Sequence, residues 1–282
     1  MILIADSGGS KIDWRILRDD GSIGQANGSG FNPYYQPPSD LQKSIEDTLL
    51  PQLTGTVGEV FFYGAGLSSP GNQEIVKGVL AKYFEHAVVE VNLDLLGAAR
   101  ALCGDEEGIA CILGTGANSC SYDGSKVKKN MASLGWILGD EGSGAYMGKQ
   151  LIKGYLRKEM PEKLAGQLRA RYPINREEIL GKIYQQSRPA AFLGGFARFI
   201  FQHLKDPYCY QLAYAGFDAF FKNNVMQYDN HKNVKVHFTG SVAFYFSNIV
   251  RQVGADNGVV VRNIVESPIA GLTLFHNKSL NV

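Results

Sequence analysis

The sequence predicts an α/β protein that is built from two related units. Two stretches about a hundred residues apart repeat the order strand, glycine-rich turn, strand and Asp-Gly turn. Near the C-terminus, a further strand runs through a Gly-Ser turn into a helix, and apolar residues recur at helical spacing before it. A duplicated hairpin in a chain that also forms helices favours a mixed fold in two domains.

The first stretch, MILIADSGGSKIDW, joins two short strands. The apolar run Ile2–Ala5 and the alternating run Ile12–Leu17 predict the strands, and an Asp-Gly turn follows at 20–21. Asp6 stands at the end of the first strand, and Gly8 and Gly9 let the backbone approach a ligand closely. Ser10 and Lys11 add donors. An ordinary hairpin tip in water and a phosphate cradle both explain this stretch.

The segment from Gly24 to Asp40 is predicted to be a long loop. It is rich in Gly, Asn, Pro and Tyr, and its length favours a functional loop over a mere connector.

Asp94 precedes the helix-like segment Leu95–Leu102 and follows an apolar run at 87–89. A carboxylate at this place can cap the helix N-terminus. It can also act as a general base. The two roles are compatible, and both stay open.

The second stretch, GIACILGTGANSCSYDG, repeats the layout of the first. Strands are predicted at Ile109–Leu113 and Ala117–Tyr122, with the turn Gly114-Thr115-Gly116 between them and the turn Asp123-Gly124 after them. Any two hairpins share some features, but here three features recur in the same order, which favours duplication.

The stretch LGWILGDEGSGAYMGKQLI combines glycines with an aromatic residue and two carboxylates. Trp136 can stack on a pyranose ring or pack into the core, and Asp140 can accept hydrogen bonds from sugar hydroxyls. Glu141 can instead cap a helix that starts near Ser143.

The remainder of the chain is predicted to be largely helical from 151 to 230. A strand follows at Val234–Phe238, then the turn Thr239-Gly240-Ser241 and a helix from Val242. A turn into a helix N-terminus suits an anionic ligand, although a plain strand-to-helix turn explains it nearly as well.

Composition limits the classes of function. Lys and Arg number 28 and Asp and Glu 27, so a net charge of +1 gives no reason to expect nucleic acid or an anionic membrane as a partner. No apolar run approaches the roughly 20 residues of a membrane helix, and the first residues lack the pattern of a signal peptide. A cytoplasmic protein is expected.

Several other motifs are incomplete. The four cysteines show no CxxC spacing and the five histidines form no HxxxH or HxH pair, so buried thiols are expected and a zinc site is not. The segment 143–150 differs from a Walker loop at both ends, a Rossmann fingerprint lacks its third glycine, and no GxSxG elbow exists.

Six stretches in order resemble motifs of the sugar kinase, Hsp70 and actin superfamily: DSGGSKIDW, GSGFNPYY, NLDLLGAARAL, ILGTGANS, GWILGDEGSG and FTGSVA. Within it, the chain is similar to the N-acetylglucosamine kinases, whose family also holds the activator ATPases of benzoyl-CoA reductase and 2-hydroxyacyl-CoA dehydratase. The resemblance implies two ribonuclease H-like (actin-like ATPase) domains with a cleft between them. They would span residues 1–104 and 105–282, with a helical insertion in the second and the final residues packed back on the first.

The same resemblance implies a homodimeric kinase that uses ATP and Mg²⁺ to phosphorylate an amino sugar, N-acetylglucosamine first among them, at its 6-hydroxyl, with Asp94 as the base. Asp6 would hold Mg²⁺, directly or through water. The implied ATP-binding residues are Ser7, Gly8, Gly9, Ser10, Lys11, Gly114, Thr115, Gly116, Gly240 and Ser241. The implied sugar-binding residues are Asn32, Asp94, Gly116, Asn118, Gly135, Trp136 and Asp140.

Some alternatives stay open. Ser7 and Ser10 stand where related kinases often have Gly and Thr, and FNPYY departs from the animal enzymes. An ATPase that activates a partner enzyme and a sugar sensor without catalysis remain possible, but no cysteine lies in a motif for an iron–sulfur cluster. N-acetylglucosamine, glucosamine and N-acetylmuramic acid differ by groups that a few contacts decide.

Overall fold

The strands and helices of this chain follow from its alternating and helical apolar patterns. The computed structural model describes residues 1–9 and 11–278. The strands are β1 (Ile2–Ser7), β2 (Lys11–Leu17), β3 (Ile23–Ser29), β4 (Glu59–Gly64), β5 (Val88–Leu93), β6 (Glu107–Leu113), β7 (Ala117–Asp123), β8 (Val127–Asn130), β9 (Lys235–Thr239) and β10 (Val261–Val265). The α-helices are α1 (Pro38–Ser44), α2 (Pro70–Tyr83), α3 (Asp94–Cys103), α4 (Gly135–Leu138), α5 (Gly144–Leu156), α6 (Glu162–Arg171), α7 (Arg176–Tyr184), α8 (Pro189–Gly194), α9 (Ala197–Gln202), α10 (Pro207–Asn223), α11 (Ser241–Tyr245), α12 (Ser247–Asp256) and α13 (Ile269–Lys278).

The strands form two five-stranded sheets with the same topology. Their orders are β3-β2-β1-β4-β5 and β8-β7-β6-β9-β10. In each sheet an antiparallel hairpin, β1–β2 or β6–β7, continues into two parallel pairs. This arrangement confirms the predicted α/β fold and the duplicated hairpin.

The first compact unit contains Met1–Glu106, Gly124–Val127 and, of the described residues, 267–278. Strand β1 is buried on both faces of its sheet. Leu3 packs with Leu41 of α1 and Val76 of α2, whereas Ile4 packs on the other face with Leu272 of α13. Because successive side chains of a strand alternate between faces, one apolar run supplies both cores.

The second compact unit contains Glu107–Asp123 and Lys128–Glu266. Its core joins Cys111 of β6 and Phe238 of β9 to Met147, Phe217 and Val250 on the surrounding helices. The region from 151 to 230 contains the end of α5 and all of α6 to α10, as predicted.

The predicted loop from Gly24 to Asp40 is wrong at both ends, because residues 38–40 begin α1 and residues 24–29 belong to the edge strand β3. This strand pairs with β2 along its whole length. Only Ala26 of the strand is buried, so no apolar alternation marks it in the sequence. The Asp-Gly turn before it, where Gly21 has φ +81°, sets the pairing register. None of the helices in the described residues is both long and apolar enough to cross a membrane.

Candidate active site

The first glycine turn follows the end of β1 and is open. Gly8 N donates to Lys11 O (3.0 Å). Gly8 and Gly9 are exposed, neither has a positive φ, and among the described residues a Cβ on either would meet no atom closer than 3.8 Å. Neither steric crowding nor a left-handed backbone within the unit therefore requires glycine at these two positions. This favours a ligand that approaches the backbone closely. Ser10 lies outside the described residues.

Ser7 and Lys11 flank this turn. Ser7 is fully buried, and its Oγ donates to Phe31 O (3.3 Å) and accepts from Phe31 N (3.2 Å). The hydroxyl thus holds the loop after β3 against the end of β1, and the carbonyl of Ser7 accepts from Ala65 N (3.0 Å). Lys11 Nζ lies 2.8 Å from Asp13 Oδ2, and its side chain is mostly exposed.

Two carboxylates, Asp6 and Asp94, influence each other near this turn. Burial, followed by the charges of Asp94 and Asp13, raises the pKa of Asp6 to about 7, although Lys11 and a hydrogen bond from Ser267 oppose this. Burial likewise raises the pKa of Asp94 to about 7. Carboxylates with such pKa values can exchange protons near neutral pH, as a general base must.

The capping interpretation of Asp94 needs correction. Leu93 occupies the N-cap position of α3 and makes no side-chain capping bond, while Asp94 is the first helical residue. Its carboxylate accepts a hydrogen bond from the backbone of Leu95, which lowers its pKa against the larger effect of burial. Asp94 still lies at the positive end of the helix dipole, which favours its charged form.

The acidic residues suit an Mg²⁺ ion that keeps most of its waters. No group of three or more His, Cys, Asp or Glu side chains that could hold a metal occurs in the part of the chain the structure describes. Mg²⁺ commonly uses one or two carboxylates together with waters and substrate phosphates. A cation beside Asp6 would relieve the repulsion from Asp94 and Asp13. Asp6 therefore fits this ion.

Ser267 is a contact of Asp6 that sequence reasoning missed. It lies between β10 and α13, more than 250 residues along the chain from Asp6. No motif marks it, because only the folding of α13 onto the first sheet brings it there.

Asn32 lies in the loop after β3 and is held within the first unit. Its Oδ1 accepts from Tyr34 N (3.0 Å), and its backbone N donates to Gln36 Oε1 (3.0 Å). The amide packs against Gly66, where a Cβ would be 2.3 Å from Oδ1. Asn32 is half-buried, so part of it remains accessible.

The second glycine turn joins β6 to β7 and is braced by α5. Gly114 N donates to Gly116 O (3.0 Å). The carbonyls of Gly114 and Thr115 accept from Gly144 N (2.8 Å) and Ala145 N (3.1 Å) at the start of the helix. These bonds satisfy helix N–H groups that have no partner within the helix.

Glu141 does not cap α5. Ser143 is its N-cap, and Ser143 Oγ accepts from Tyr146 N (3.1 Å). Glu141 Oε1 instead accepts from Asn223 Nδ2 (3.2 Å). Both Ser and Glu suit helix starts, and the backbone conformation at Ser143 decided between them.

Asp140 folds back onto the second turn. Its Oδ1 accepts from Ala117 N (3.3 Å), and a Cβ at Gly116 would be 3.0 Å from its Oδ2. Asp140 has φ +56°, which is uncommon for a residue other than glycine and often marks functional sites. Burial raises the pKa of this carboxyl. The structure thus brings together Gly116 and Asp140, which the sequence placed in separate motifs.

Trp136 lies in the short helix α4, which Gly135 begins. The ring is half-buried and packs against the core of the second unit, so part of its surface remains accessible. Lys149 Nζ donates to the backbone carbonyls of Trp136 (2.7 Å) and Ile137 (3.3 Å). Sequence reasoning missed Lys149, because a lysine on a helix usually indicates only a solvated face.

Two further predicted positions lie in the second unit. Asn118 Oδ1 accepts from Ser119 N (2.9 Å) and Asn130 Nδ2 (3.2 Å). Gly240 has φ +109°, and a Cβ there would be 2.3 Å from Leu113 O, so the fold itself requires glycine. Ser241 begins α11 and is exposed.

Comparison with known proteins concerns the fold of the whole chain. No protein-family model matches the chain, and no curated protein does. A solved structure from Porphyromonas gingivalis, classed as an N-acetylglucosamine kinase, is 40% identical with a TM-score of 0.94, and the match covers 99% of this chain and 100% of that chain. Another so classed, from Chromobacterium violaceum, is 16% identical with a TM-score of 0.71 over 97% of this chain and 98% of that chain.

The fold extends to more distant structures. A ROK family glucokinase from Streptomyces griseus, in complex with glucose and AMPPNP, is 14% identical with a TM-score of 0.52, and the match covers 98% of each chain. The fold and the full-length match define the class of this protein, which is a sugar kinase with the actin-like ATPase fold. At 40% identity over nearly the whole chain, it belongs to the N-acetylglucosamine kinase family.

Proposed function

We propose that this chain transfers the γ-phosphoryl group of ATP to the 6-hydroxyl of N-acetylglucosamine. The observation that carries the proposal is Asp94, whose carboxylate lies at the start of α3 with a pKa near 7 and interacts with Asp6. Phosphoryl transfer needs an oriented acceptor hydroxyl, a proton acceptor and neutralised phosphate charge. The 40% identical relative classed as an N-acetylglucosamine kinase supports the choice of sugar.

The proposed mechanism assigns one task to each group. Asp94 accepts a hydrogen bond from the 6-hydroxyl and takes its proton as the oxygen attacks phosphorus. The N–H groups of Gly8 and Gly114 bond within their own turns, so Lys11 and other backbone N–H groups of the turns would hold phosphate oxygens. Gly240 and Ser241 would lie beside the adenosine. Asp6 would hold Mg²⁺, directly or through water, and the ion would supply neutralisation of the phosphate charge. Asn32, Asn118, Trp136 and Asp140 would bind the sugar.

A panel of sugars with product analysis tests this proposal. The purified chain is incubated with Mg-ATP and each of N-acetylglucosamine, glucosamine, N-acetylmuramic acid and glucose, and ADP release is followed. The largest kcat/KM is expected for N-acetylglucosamine, with a 6-phosphate identified by ³¹P nuclear magnetic resonance. The Asp94→Asn variant serves as the control for contaminating kinases.

Three results would contradict the proposal in different ways. ADP release without any sugar would favour an ATPase that acts on a partner. Tight sugar binding without phosphorylated product would favour a sensor. A larger kcat/KM for another hexose would confirm a kinase but change its substrate.

The homodimer and the cytoplasmic location also stay predictions. Light scattering in solution would measure the oligomeric state.

A further inference from the structure

Tyr63 is buried in the first unit, directly beneath helix α3. Its side chain is 0% exposed. On the parallel strands it is in register with Asp6 of β1 and Asn92 of β5. Residues in register on neighbouring strands project to the same face of a sheet. Tyr63 therefore shares its face with Asp6, and Asn92 stands two residues before Asp94 in the chain.

The ring of Tyr63 supports the face of α3 that carries Asp94. Gly97 follows Asp94 by three residues, so both lie on one face of the helix. A Cβ at Gly97 would be 2.8 Å from Tyr63 Cγ, which is closer than side chains approach in proteins. The helix backbone therefore rests on the ring, and the ring sets the distance between α3 and β4.

The hydroxyl of Tyr63 fixes the same helix through a second contact. Arg100 Nη1, also on α3, donates to Tyr63 Oη (2.6 Å), and Tyr63 Oη lies 2.9 Å from His276 Nε2 of α13. A guanidinium can only donate, so Tyr63 Oη accepts from Arg100, and the imidazole tautomer sets the direction of the bond with His276. Burial lowers the pKa of His276 to about 4, in agreement with a neutral ring.

We infer that Tyr63 is a positioning residue for Asp94. Its ring sets the height of α3 above the sheet, and its hydroxyl prevents the helix from sliding by holding Arg100 against His276. A proton acceptor must lie within hydrogen-bond reach of the attacking hydroxyl, and a misplacement of about 1 Å can cost about a hundredfold in rate. The inference rests on the proposed role of Asp94.

The Tyr63→Phe variant removes the hydroxyl and keeps the ring. We expect kcat to fall about tenfold or more while KM for ATP and for the sugar stays within about twofold. The matched control is Tyr83→Phe, which removes a 2.6 Å hydrogen bond to Glu46 on the far side of the same unit's core and should leave kcat unchanged. His276→Phe gives a second test, because it removes the hydrogen-bond partner of the Tyr63 hydroxyl but keeps a ring stacked on Phe61 (centroids 3.9 Å apart).

A double-mutant cycle shows whether Tyr63 acts through Asp94. Tyr63→Phe is measured in the wild-type and in the Asp94→Asn background, with product followed over hours to detect slow turnover. The expected loss of kcat occurs in the first background and is absent in the second. An equal loss in both backgrounds would overturn the inference, as would wild-type kcat in Tyr63→Phe.

The same cycle separates this inference from the proposed function. If Asp94→Asn alone keeps wild-type turnover, the assignment of the base fails. If Asp94→Asn loses turnover and Tyr63→Phe does not, the base stands and the positioning role of Tyr63 fails.

Discussion

The two glycine-rich hairpins occupy the same place in two sheets of the same topology, but they are held differently. In the first, Gly8 and Gly9 are exposed, and a Cβ on either would meet no atom of the described residues closer than 3.8 Å. In the second, Gly114 and Thr115 accept hydrogen bonds from α5, and Asp140 lies against Gly116. One motif thus serves as an open turn in the first unit and as a braced turn in the second.

The chemistry around the two hairpins differs in the same way. The first adjoins Asp6 and Asp94, whose pKa values burial raises to about 7. The second adjoins Asp140 and the short helix of Trp136, which suit recognition of a sugar. Under the proposed function, the proton acceptor would belong to the first unit and most of the sugar contacts to the second. Variants in each unit test this difference.

The largest effect is expected at Asp94. Asp94→Asn keeps the size of the side chain but removes the proton acceptor, so kcat should fall about 10²- to 10⁴-fold. KM for ATP should change little, because the first turn remains intact. Steady-state kinetics with saturating sugar measure this, and turnover near the wild-type level would reject the assignment of the base.

The pH dependence should follow the raised pKa values. Catalysis needs Asp94 deprotonated, so kcat/KM should fall about tenfold per pH unit below about pH 7. Stability should change in the opposite direction. Between the ordinary value near 4 and about 7, the folded state binds more protons at Asp6 and Asp94 than the unfolded state does, so the free energy of unfolding rises as pH falls.

Rates from pH 5.5 to 8.5 and urea unfolding over the same range test this pair of trends. Asp6 and Asp94 titrate together, so the acid limb reports the pair rather than one residue. A kcat/KM that stays constant down to pH 5.5 would contradict the burial argument.

Asp140→Asn should weaken the use of sugar without affecting the first turn. The amide cannot accept sugar hydroxyls at both of its terminal atoms, and kcat/KM for the sugar should fall about 10- to 100-fold. KM for ATP should stay within about threefold. An equal loss for ATP and sugar would show that Asp140 acts by bracing the second turn, through Ala117 N and Gly116.

A pair of glycine variants compares the two hairpins directly. Gly9→Ala meets no atom, so the melting temperature should be unchanged while KM for ATP rises about tenfold, because the methyl group obstructs the phosphates. Gly116→Ala places a Cβ 3.0 Å from Asp140 Oδ2, so the melting temperature should fall and the KM for sugar should rise. Unchanged ATP kinetics in Gly9→Ala would show that the first turn is an ordinary hairpin tip.

The smallest effect is expected at Lys149. Ile137 and Leu138 of α4 are 66% and 75% exposed, so packing alone holds this helix weakly. Lys149→Met removes the bonds to the carbonyls of Trp136 and Ile137 but keeps the apolar stem, and KM for sugar should rise a few-fold. Lys153→Met, an exposed lysine one turn further along α5, is the control. If the two variants change the KM for sugar equally, the bonds from Lys149 to α4 do not contribute to sugar binding.

Local signals in the sequence predicted most elements that carry the site. The apolar run at Ile2–Ala5, the Asp-Gly turns and the apolar spacing of the helical region act over a few residues, and the structure confirms them. The edge strand β3 escaped prediction because it buries only Ala26, so nothing but its pairing with β2 defines it. The capping roles of Asp94 and Glu141 were misjudged because several residue types suit a helix start.

Periodicity, turn chemistry and motif order lie along the chain, so they are enough to predict the α/β class, the duplication, the family and the residue types of the candidate site. The environment of those residues forms only when the chain folds. The raised pKa of Asp94, the contact of Asp140 with the second turn, and the supports Tyr63, Lys149 and Ser267 all depend on burial or on partners distant in sequence. Desolvation and hydrogen bonding are properties of a folded surrounding, and no short stretch of sequence contains that surrounding.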